Sequence, residues 1–193
     1  AYLRLSVPAM LMGIFEWWSW DIVSFLAGLC PDPQTALAAN ALLSSVISLA
    51  YALPTGLQAG VQTLVGNALG AQSPRGARVG ARVGGWLALG TMVAQASLLY
   101  AFRNAWASLF RAEPNVGAEV ASLLRWTVFF CAGDGLQIVL SGVITGAGKQ
   151  AVTTPVLLTS YWILGLPLGA AAAFAYPKNG LLGLWWGMAL AVW

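Results

Sequence analysis

The sequence contains no histidine, and only 9 basic and 6 acidic side chains occur among its 193 residues. Without histidine, metal sites and acid-base catalysis that use imidazole are excluded. The two cysteines, Cys30 and Cys131, stand too far apart for zinc or iron–sulfur ligand spacing, so we expect no metal site. No recognisable pairing of a nucleophile with a base occurs, and the scattered basic residues form no concentrated patch. We therefore expect neither an enzyme nor a nucleic-acid-binding protein.

Apolar sequence dominates instead, because 59% of the residues are hydrophobic and 8% are charged. Soluble proteins carry about a quarter charged residues, and a bilayer core of about 30 Å takes about 20 helical residues to cross. The sequence therefore predicts an all-α, polytopic integral membrane protein, with the plasma membrane and a vacuolar or other organellar membrane left open. The predicted spans of this six-helix bundle are roughly 3–29, 37–69, 83–102, 118–145, 152–176 and 180–193, the last too short to cross by itself.

Three acidic residues lie within these apolar runs. Glu16 and Asp21 stand among three tryptophans near the middle of the first run, and Asp134 lies in the fourth. A charged Asp at the centre of a membrane helix costs about 2.5 to 3.5 kcal/mol, so such residues usually face a bundle interior or a wet cavity. No basic residue lies at that depth to pair with them. Because removal from water disfavours a charged carboxylate, we expect Glu16 and Asp134 to exchange protons or to meet a cationic ligand.

Polar residues recur along one face of the second run at steps of three or four. In a lipid environment this stripe must point toward other helices or water, so we expect it to line a cavity. The alternative is ordinary hydrogen bonding between helices, worth about 0.6 kcal/mol per contact. The members of the stripe are Asn40, Ser44, Ser48, Tyr51, Thr55, Gln58 and Gln62.

Prolines interrupt two of the predicted spans. Pro54 is expected to break or kink the second span, and Pro155 and Pro167 to bend or break the fifth. The fourth span places Gln137 on the same face as Asp134. The third span has Gln95 as its one strong polar group, to which we assign no site.

Several sequence pieces together resemble the multidrug and toxic compound extrusion (MATE) transporters, and their eukaryotic branch in particular. The resemblance covers essentially the whole chain. It is carried by Glu16-Trp17-Trp18, Tyr51-Ala-Leu-Pro54-Thr-Gly56, Val65-Gly66-Asn67-Ala-Leu-Gly70-Ala71 and Leu140-Ser-Gly142-Val-Ile-Thr-Gly146-Ala-Gly148-Lys-Gln150.

This resemblance implies a twelve-helix antiporter built from two six-helix lobes, of which residues 1–193 are similar to the C-terminal lobe. The chain begins at Ala1 without a methionine and stops inside an apolar run. We therefore expect a fragment whose sixth helix is truncated and whose N-terminal lobe is a missing partner. By position, Glu16 and Asp134 match coupling acids of the family. Asp21 also matches one, but lies about 140° around the helix from Glu16, which leaves open whether the two share a pocket.

The expected function is proton-coupled antiport of organic cations or other small compounds, with sodium as the alternative ion and no bound cofactor. Other candidates are a lipid or lipid-linked sugar flippase and a non-transporting membrane interaction module. The expected partners are a small, cationic substrate, membrane lipid and the missing lobe. Proton or cation coupling is assigned to Glu16, Asp134 and Asp21, and helix hinges to Pro54 and Pro167. The expected lining of the substrate cavity is Trp17, Tyr51, Thr55, Gln58, Gln62, Asn67 and Gln137.

Overall fold

A computed structural model describes residues 2–110, 113–176 and 179–193. These residues form helices joined by short turns, and no strand occurs among them, which confirms the predicted all-α class. The elements are α1 (Tyr2–Ala27), α2 (Pro33–Gly70), α3 (Pro74–Ala101), α4 (Arg103–Leu109), α5 (Pro114–Leu123), α6 (Thr127–Gly146), α7 (Gln150–Leu157), a π-helical segment (Leu158–Gly165), α8 (Leu166–Phe174) and α9 (Gly180–Ala191).

Four stretches of the described chain are long and apolar enough to cross a membrane. They are Pro33–Gly70, Pro74–Ala101, Phe129–Gly146 and Gln150–Phe174, and Gly180–Ala191 is a shorter apolar helix. The first helix, α1, has 26 residues, which gives it a length of about 39 Å at about 1.5 Å per residue. It therefore has the length of a membrane span while carrying two of the acids.

The structure corrects the predicted fourth span, because 118–145 is not one helix. It consists of α5 and α6, separated by a turn at residues 124–126. In this turn the amides of Arg125 and Trp126 donate to the carbonyls three residues back, those of Ser122 and Leu123, at 3.2 and 3.0 Å. Such tighter bonds end the α-helical pattern for one turn.

The breaks expected at the prolines are also absent. α2 continues without interruption through Pro54, and helical structure continues from Gln150 to Phe174 past Pro155 and Pro167. Within that stretch, residues Leu158–Gly165 adopt the π-helical form. The prolines are therefore accommodated inside continuous helices, and a bend at Pro54 or Pro167 stays a prediction.

Helices α2 and α3 form an antiparallel hairpin whose ends are fixed by local sequence. α2 begins at Pro33 after Asp32, whose carboxylate accepts a hydrogen bond from the Thr35 amide at 3.3 Å. Ser73 caps α3 in the same way, before Pro74. Gln72 between the helices has φ 55°, the left-handed conformation that lets the chain reverse. The cap at Ser73 and the turn at Gln72 therefore define where α2 ends and α3 begins.

Glycines allow the helices to approach closely where α2 meets α6. A Cβ atom on Gly142 would lie 2.7 Å from the Gln58 carbonyl oxygen, and one on Gly146 would clash with the carbonyl oxygen of Gln62. Helix backbones can approach this closely only where the residue lacks a side chain. α2 is therefore held against α6 along the half of its length that follows Pro54.

Helix α1 is held on its other side by the stretch from α7 through the π-helical segment. The Trp162 indole donates to the Phe15 carbonyl at 2.9 Å, and the Thr154 hydroxyl donates to the Pro8 carbonyl at 3.2 Å. Both bonds are donated by side chains of the fifth apolar run to backbone carbonyls of the first. They fix the segment of α1 that precedes and includes the first acid.

Candidate functional site

A cavity of about 320 Å³ lies between α1 and α2 and is bounded by one residue of α9. It contains two carboxylates, three serines and four aromatic rings. Its lining consists of Glu16, Trp17, Trp20, Asp21, Ser24, Ser44, Ile47, Ser48, Tyr51 and Trp185. The structure therefore brings four predicted site residues together, and it resolves the question of Asp21, which shares this cavity with Glu16.

Glu16 accepts one side-chain hydrogen bond from α2 and one from its own helix, α1. Its carboxylate accepts a hydrogen bond of 3.4 Å from the Tyr51 hydroxyl on α2. Its backbone carbonyl accepts a bond of 2.6 Å from Ser19 Oγ, a side chain that is fully buried. The Tyr51 ring also meets the Trp17 ring edge to face, with centroids 6.0 Å apart. The pair formed by Glu16 and Tyr51 thus joins the acid of α1 to the polar stripe of α2.

Asp134 lies deeper, on α6, with 8% of its surface exposed. It lies close enough to Glu16 for the two carboxyl groups to interact through their charges, and both also act on Tyr51 and Tyr161. No salt bridge from a described basic residue to either acid is found. The two predicted coupling acids are therefore within range of electrostatic interaction, and Asp134 is not among the residues that line the cavity.

A buried amide ties the walls of the cavity together at one end. Asn40, 4% exposed, donates to Ser24 Oγ at 3.0 Å and accepts from the Trp185 indole at 3.1 Å. Trp185 packs against Trp20, with ring centroids 5.0 Å apart. These contacts join α1, α2 and α9, so the shape of the cavity depends on all three helices.

Sequence analysis missed four of the residues that line the cavity, namely Trp20, Ser24, Ile47 and Trp185. Trp20 and Ser24 follow Glu16 at steps of four, which places all three on one helix face. That spacing is a usable signal for Trp20 and Ser24. Trp185 lies in the final apolar run, where nothing nearby in the sequence marks it, because only the tertiary fold brings α9 to the cavity.

The remaining predicted lining residues lie outside this cavity. The Thr55 hydroxyl donates to its own helix, at the Tyr51 and Ala52 carbonyls. Gln58 and Gln62 lie along α6, over its glycines. The Gln137 side chain accepts a bond of 3.3 Å from the Tyr161 hydroxyl. Asn67 lines a separate groove of about 1010 Å³ between α2 and α3.

A multi-pass helical protein with acids and polar groups in a cavity between its helices has the features of a secondary transporter. The MatE family profile matches residues 8–171. The chain therefore belongs to the MatE family, the multidrug and toxic compound extrusion transporters. This confirms the resemblance noted in the sequence, and the matched relatives are transporters rather than enzymes.

The chain is 35% identical over 191 residues to human Multidrug and toxin extrusion protein 2, covering 99% of this chain and 31% of that protein. It is 33% identical over 191 residues to Protein DETOXIFICATION 16 of Arabidopsis thaliana, covering 99% of this chain and 39% of that protein. The chain thus spans between about three and four tenths of the length of these relatives.

Among solved structures, the crystal structure of the eukaryotic MATE transporter AtDTX14 matches with a TM-score of 0.92 and 29% identity. That match covers 99% of this chain and 42% of the other. An outward-facing multidrug resistance MATE transporter, at 17% identity and a TM-score of 0.82, shares the fold. These matches confirm the predicted fold class, one lobe of a MATE-type fold, and the multi-pass membrane location.

Proposed function

We propose that residues 1–193 form the C-terminal lobe of a proton-coupled antiporter that exports small organic cations. The observation that carries this proposal is the cavity between α1 and α2. It presents the carboxylates of Glu16 and Asp21 together with aromatic rings such as those of Trp17 and Tyr51. Carboxylates attract a cation by charge, and aromatic rings attract it through their π faces.

The coupling role belongs to Glu16 and Asp134. Two interacting carboxyl groups that are shielded from water resist being ionised at the same time, which makes such a pair suited to binding and releasing a proton. A proton and a cationic substrate then compete for the same negative charge. Sodium is the alternative coupling ion, and the proposal includes no bound cofactor.

Alternating access is assigned to bending of α2 at Pro54 and of the fifth span at Pro167. Each proline lacks the amide that would complete a helix bond one turn back, so the helix is more easily bent there. The N-terminal lobe is the partner against which this lobe moves. Its presence in the whole protein is supported by the greater length of the relatives.

A flippase for phosphate-bearing lipids fits the cavity less well. The described residues that line it include no lysine or arginine, whereas a phosphate head group calls for positive charge. A module that only binds another membrane protein has no use for two carboxylates in an internal cavity. We therefore place both alternatives below cation antiport.

The test is uptake of a fluorescent organic cation into vesicles that carry the full-length protein, driven by an imposed pH gradient. Asp134→Asn and Glu16→Gln keep the shape of each side chain and remove its ability to take up a proton. We expect gradient-dependent uptake in the wild type and loss of at least about tenfold in either variant, since a tenfold rate change needs only about 1.4 kcal/mol. An imposed sodium gradient in parallel vesicles distinguishes the two coupling ions.

The matched control is Asp32→Asn, the same chemical change at an exposed acid in the turn between α1 and α2. Asparagine also caps helices well, so the control should transport like the wild type. Gradient-driven uptake that survives in Asp134→Asn would contradict the coupling role of that residue. Absence of uptake from the full-length wild type across several cations would contradict the antiporter proposal itself.

A further inference from the structure

The carbonyl of Ala50 has lost its partner within helix α2. In an α-helix this carbonyl accepts a bond from the amide four residues later, which here belongs to Pro54. Proline has no amide hydrogen, and its ring crowds that same carbonyl. Pro54 is fully buried and Ala50 is 7% exposed. A carbonyl left unpaired at such a site costs about 1 to 3 kcal/mol, so its partner must come from elsewhere.

The partner comes from helix α3. Gln95 Nε2 donates to the Ala50 carbonyl oxygen at 3.1 Å, and this bond crosses from one arm of the α2–α3 hairpin to the other. The other end of the amide, Gln95 Oε1, is buried without a partner among the described residues. Turning the amide around would set its oxygen against the Ala50 oxygen, so the donor must face α2. The side chain therefore serves this one carbonyl.

The anchored carbonyl lies next to the ion-coupling site. Tyr51 follows Ala50 directly and donates its hydroxyl to Glu16. The Thr55 hydroxyl lies 3.0 Å from the carbonyl oxygens of both Tyr51 and Ala52, so its one hydrogen is shared between the two carbonyls that follow Ala50. Bonds of this back-bonded type bend helices slightly. The helix segment that presents Tyr51 is thus bonded to α3 through Ala50. Pro54 and Thr55 favour a bend in the same segment.

We propose that Gln95 is a positioning residue, which replaces the bond lost at Pro54 and thereby fixes Tyr51 against Glu16. The Gln95 bond holds Ala50, and with it the turn of α2 that presents Tyr51, at one position along α3. The consequence for transport rests on the proposed antiport function. The bond itself and its dependence on Pro54 do not.

A double-mutant cycle tests the bond directly. Pro54→Ala restores the missing amide, so the Ala50 carbonyl regains its partner within the helix and no longer needs Gln95. Thermal unfolding of the full-length protein in lipid nanodiscs is measured for the wild type, Gln95→Leu, Pro54→Ala and the double variant. We expect Gln95→Leu to lower the melting temperature in the wild-type background, and by less than roughly half as much in the Pro54→Ala background.

Ser97→Ala is the matched control, because the exposed Ser97 hydroxyl on α3 bonds to a carbonyl of its own helix, that of Val93. Its effect should be equal in the two backgrounds. Equal effects of Gln95→Leu in both backgrounds would overturn the proposal. If Gln95→Leu alone fails to fold, recovery of folded protein in the double variant supports the proposal, and failure of both variants contradicts it.

A transport measurement tests the positioning role separately. A variant that only reduces the amount of folded protein lowers the maximal uptake rate and leaves KM unchanged, whereas displacement of Tyr51 from Glu16 alters the cavity and raises KM. We expect Gln95→Leu to raise KM for the cation severalfold, and unchanged KM would overturn the positioning role. If the wild type transports nothing, the antiport proposal fails. The unfolding cycle still tests whether the Gln95 bond replaces the helix bond that is missing at Pro54.

Discussion

The two halves of helix α2 carry the same polar stripe and meet their neighbours in different ways. Before Pro54, Ser44, Ser48 and Tyr51 line a cavity that separates α2 from α1. After Pro54, the backbone of α2 at Gln58 and Gln62 packs directly on α6. A stripe of regular spacing shows which face of a helix is polar, but the neighbouring helix decides whether that face meets space or another backbone.

The residues opposite each half explain the difference. α1 presents large side chains, including Trp17 and Trp20, which hold the two helices apart and leave a cavity between them. α6 presents Gly142 and Gly146, which leave nothing to hold it away. Glycine spacing on the partner helix is therefore as informative about a cavity as the polar stripe itself.

The largest loss of stability is expected from a change that separates α2 from α6 after Pro54. A methyl group added in Gly142→Ala would meet the Gln58 carbonyl oxygen, which cannot rotate away as a side chain can. α2 and α6 must then move apart, and we expect a loss of about 1 to 3 kcal/mol in unfolding free energy. Thermal unfolding in nanodiscs measures it.

Gly90→Ala on α3 is the control, since a Cβ there would meet nothing within 4 Å. Replacement of an unconstrained helical glycine by alanine is stabilising by about 0.5 to 1 kcal/mol. Opposite signs for the two variants are expected. A Gly142→Ala protein as stable as the wild type would show that the close backbone approach does not matter for stability.

A smaller loss of stability is expected from removing a hydrogen bond between α2 and α1 before Pro54. Tyr51→Phe removes the hydroxyl that donates to Glu16 at 3.4 Å and keeps the ring that packs on Trp17. We expect a loss of about 0.5 to 1.5 kcal/mol, the usual net value of one hydrogen bond, together with an altered KM for the transported cation. Both are measured on the full-length protein.

Tyr176→Phe controls for loss of a tyrosine hydroxyl, because Tyr176 is 68% exposed and lies beyond the end of α8. It should change neither stability nor transport. If Tyr51→Phe also left KM unchanged, the bond to Glu16 would have no part in cation recognition, and the aromatic ring alone would account for the role of Tyr51.

The fold class was predictable because a chain of this hydrophobicity has few other options in water or lipid. The continuity of the helices through their prolines was not predictable from the sequence. Whether Pro54 breaks a helix depends on whether a neighbour supplies the missing donor, and here Gln95 does so. Gln95 and Ala50 lie about equally far from the turn at Gln72, so an antiparallel hairpin would place them opposite each other. This prediction requires knowing that α2 and α3 pair in register.

The site was predictable in part for a similar reason. Glu16, Asp21 and Asp134 were identified because an acid in an apolar run needs an explanation. Asn67 was not brought to the cavity, because it lies 16 residues beyond Tyr51, about 24 Å along the helix. The polar stripe is longer than the cavity it helps to line, and no feature of the stripe marks where the cavity ends.

The smallest effect is expected at the turn that joins α1 to α2, outside both halves of the comparison. The hydrogen bonds from Thr35 to the Asp32 carboxylate lower the pKa of Asp32 below its usual value. A carboxyl group with a lowered pKa in the folded state stabilises the protein above its unfolded pKa, about 3.9, and this contribution disappears as the pH falls through the folded value. Asp32→Ala should therefore lower the melting temperature slightly at pH 7, and the difference from wild type should shrink as the pH falls below the unfolded pKa.

Asp32→Asn separates the cap from the charge, since asparagine caps the helix without titrating. It should match the wild type near neutral pH and show no added loss on acidification. Neither variant should change KM, because Asp32 touches neither the cavity nor the α2–α6 contact, and its effect is confined to the first turn of α2. A change in KM for Asp32→Asn would mean that the start of α2 is coupled to Tyr51, about 28 Å further along the helix, and the half of α2 before Pro54 would then have to be treated as one rigid body.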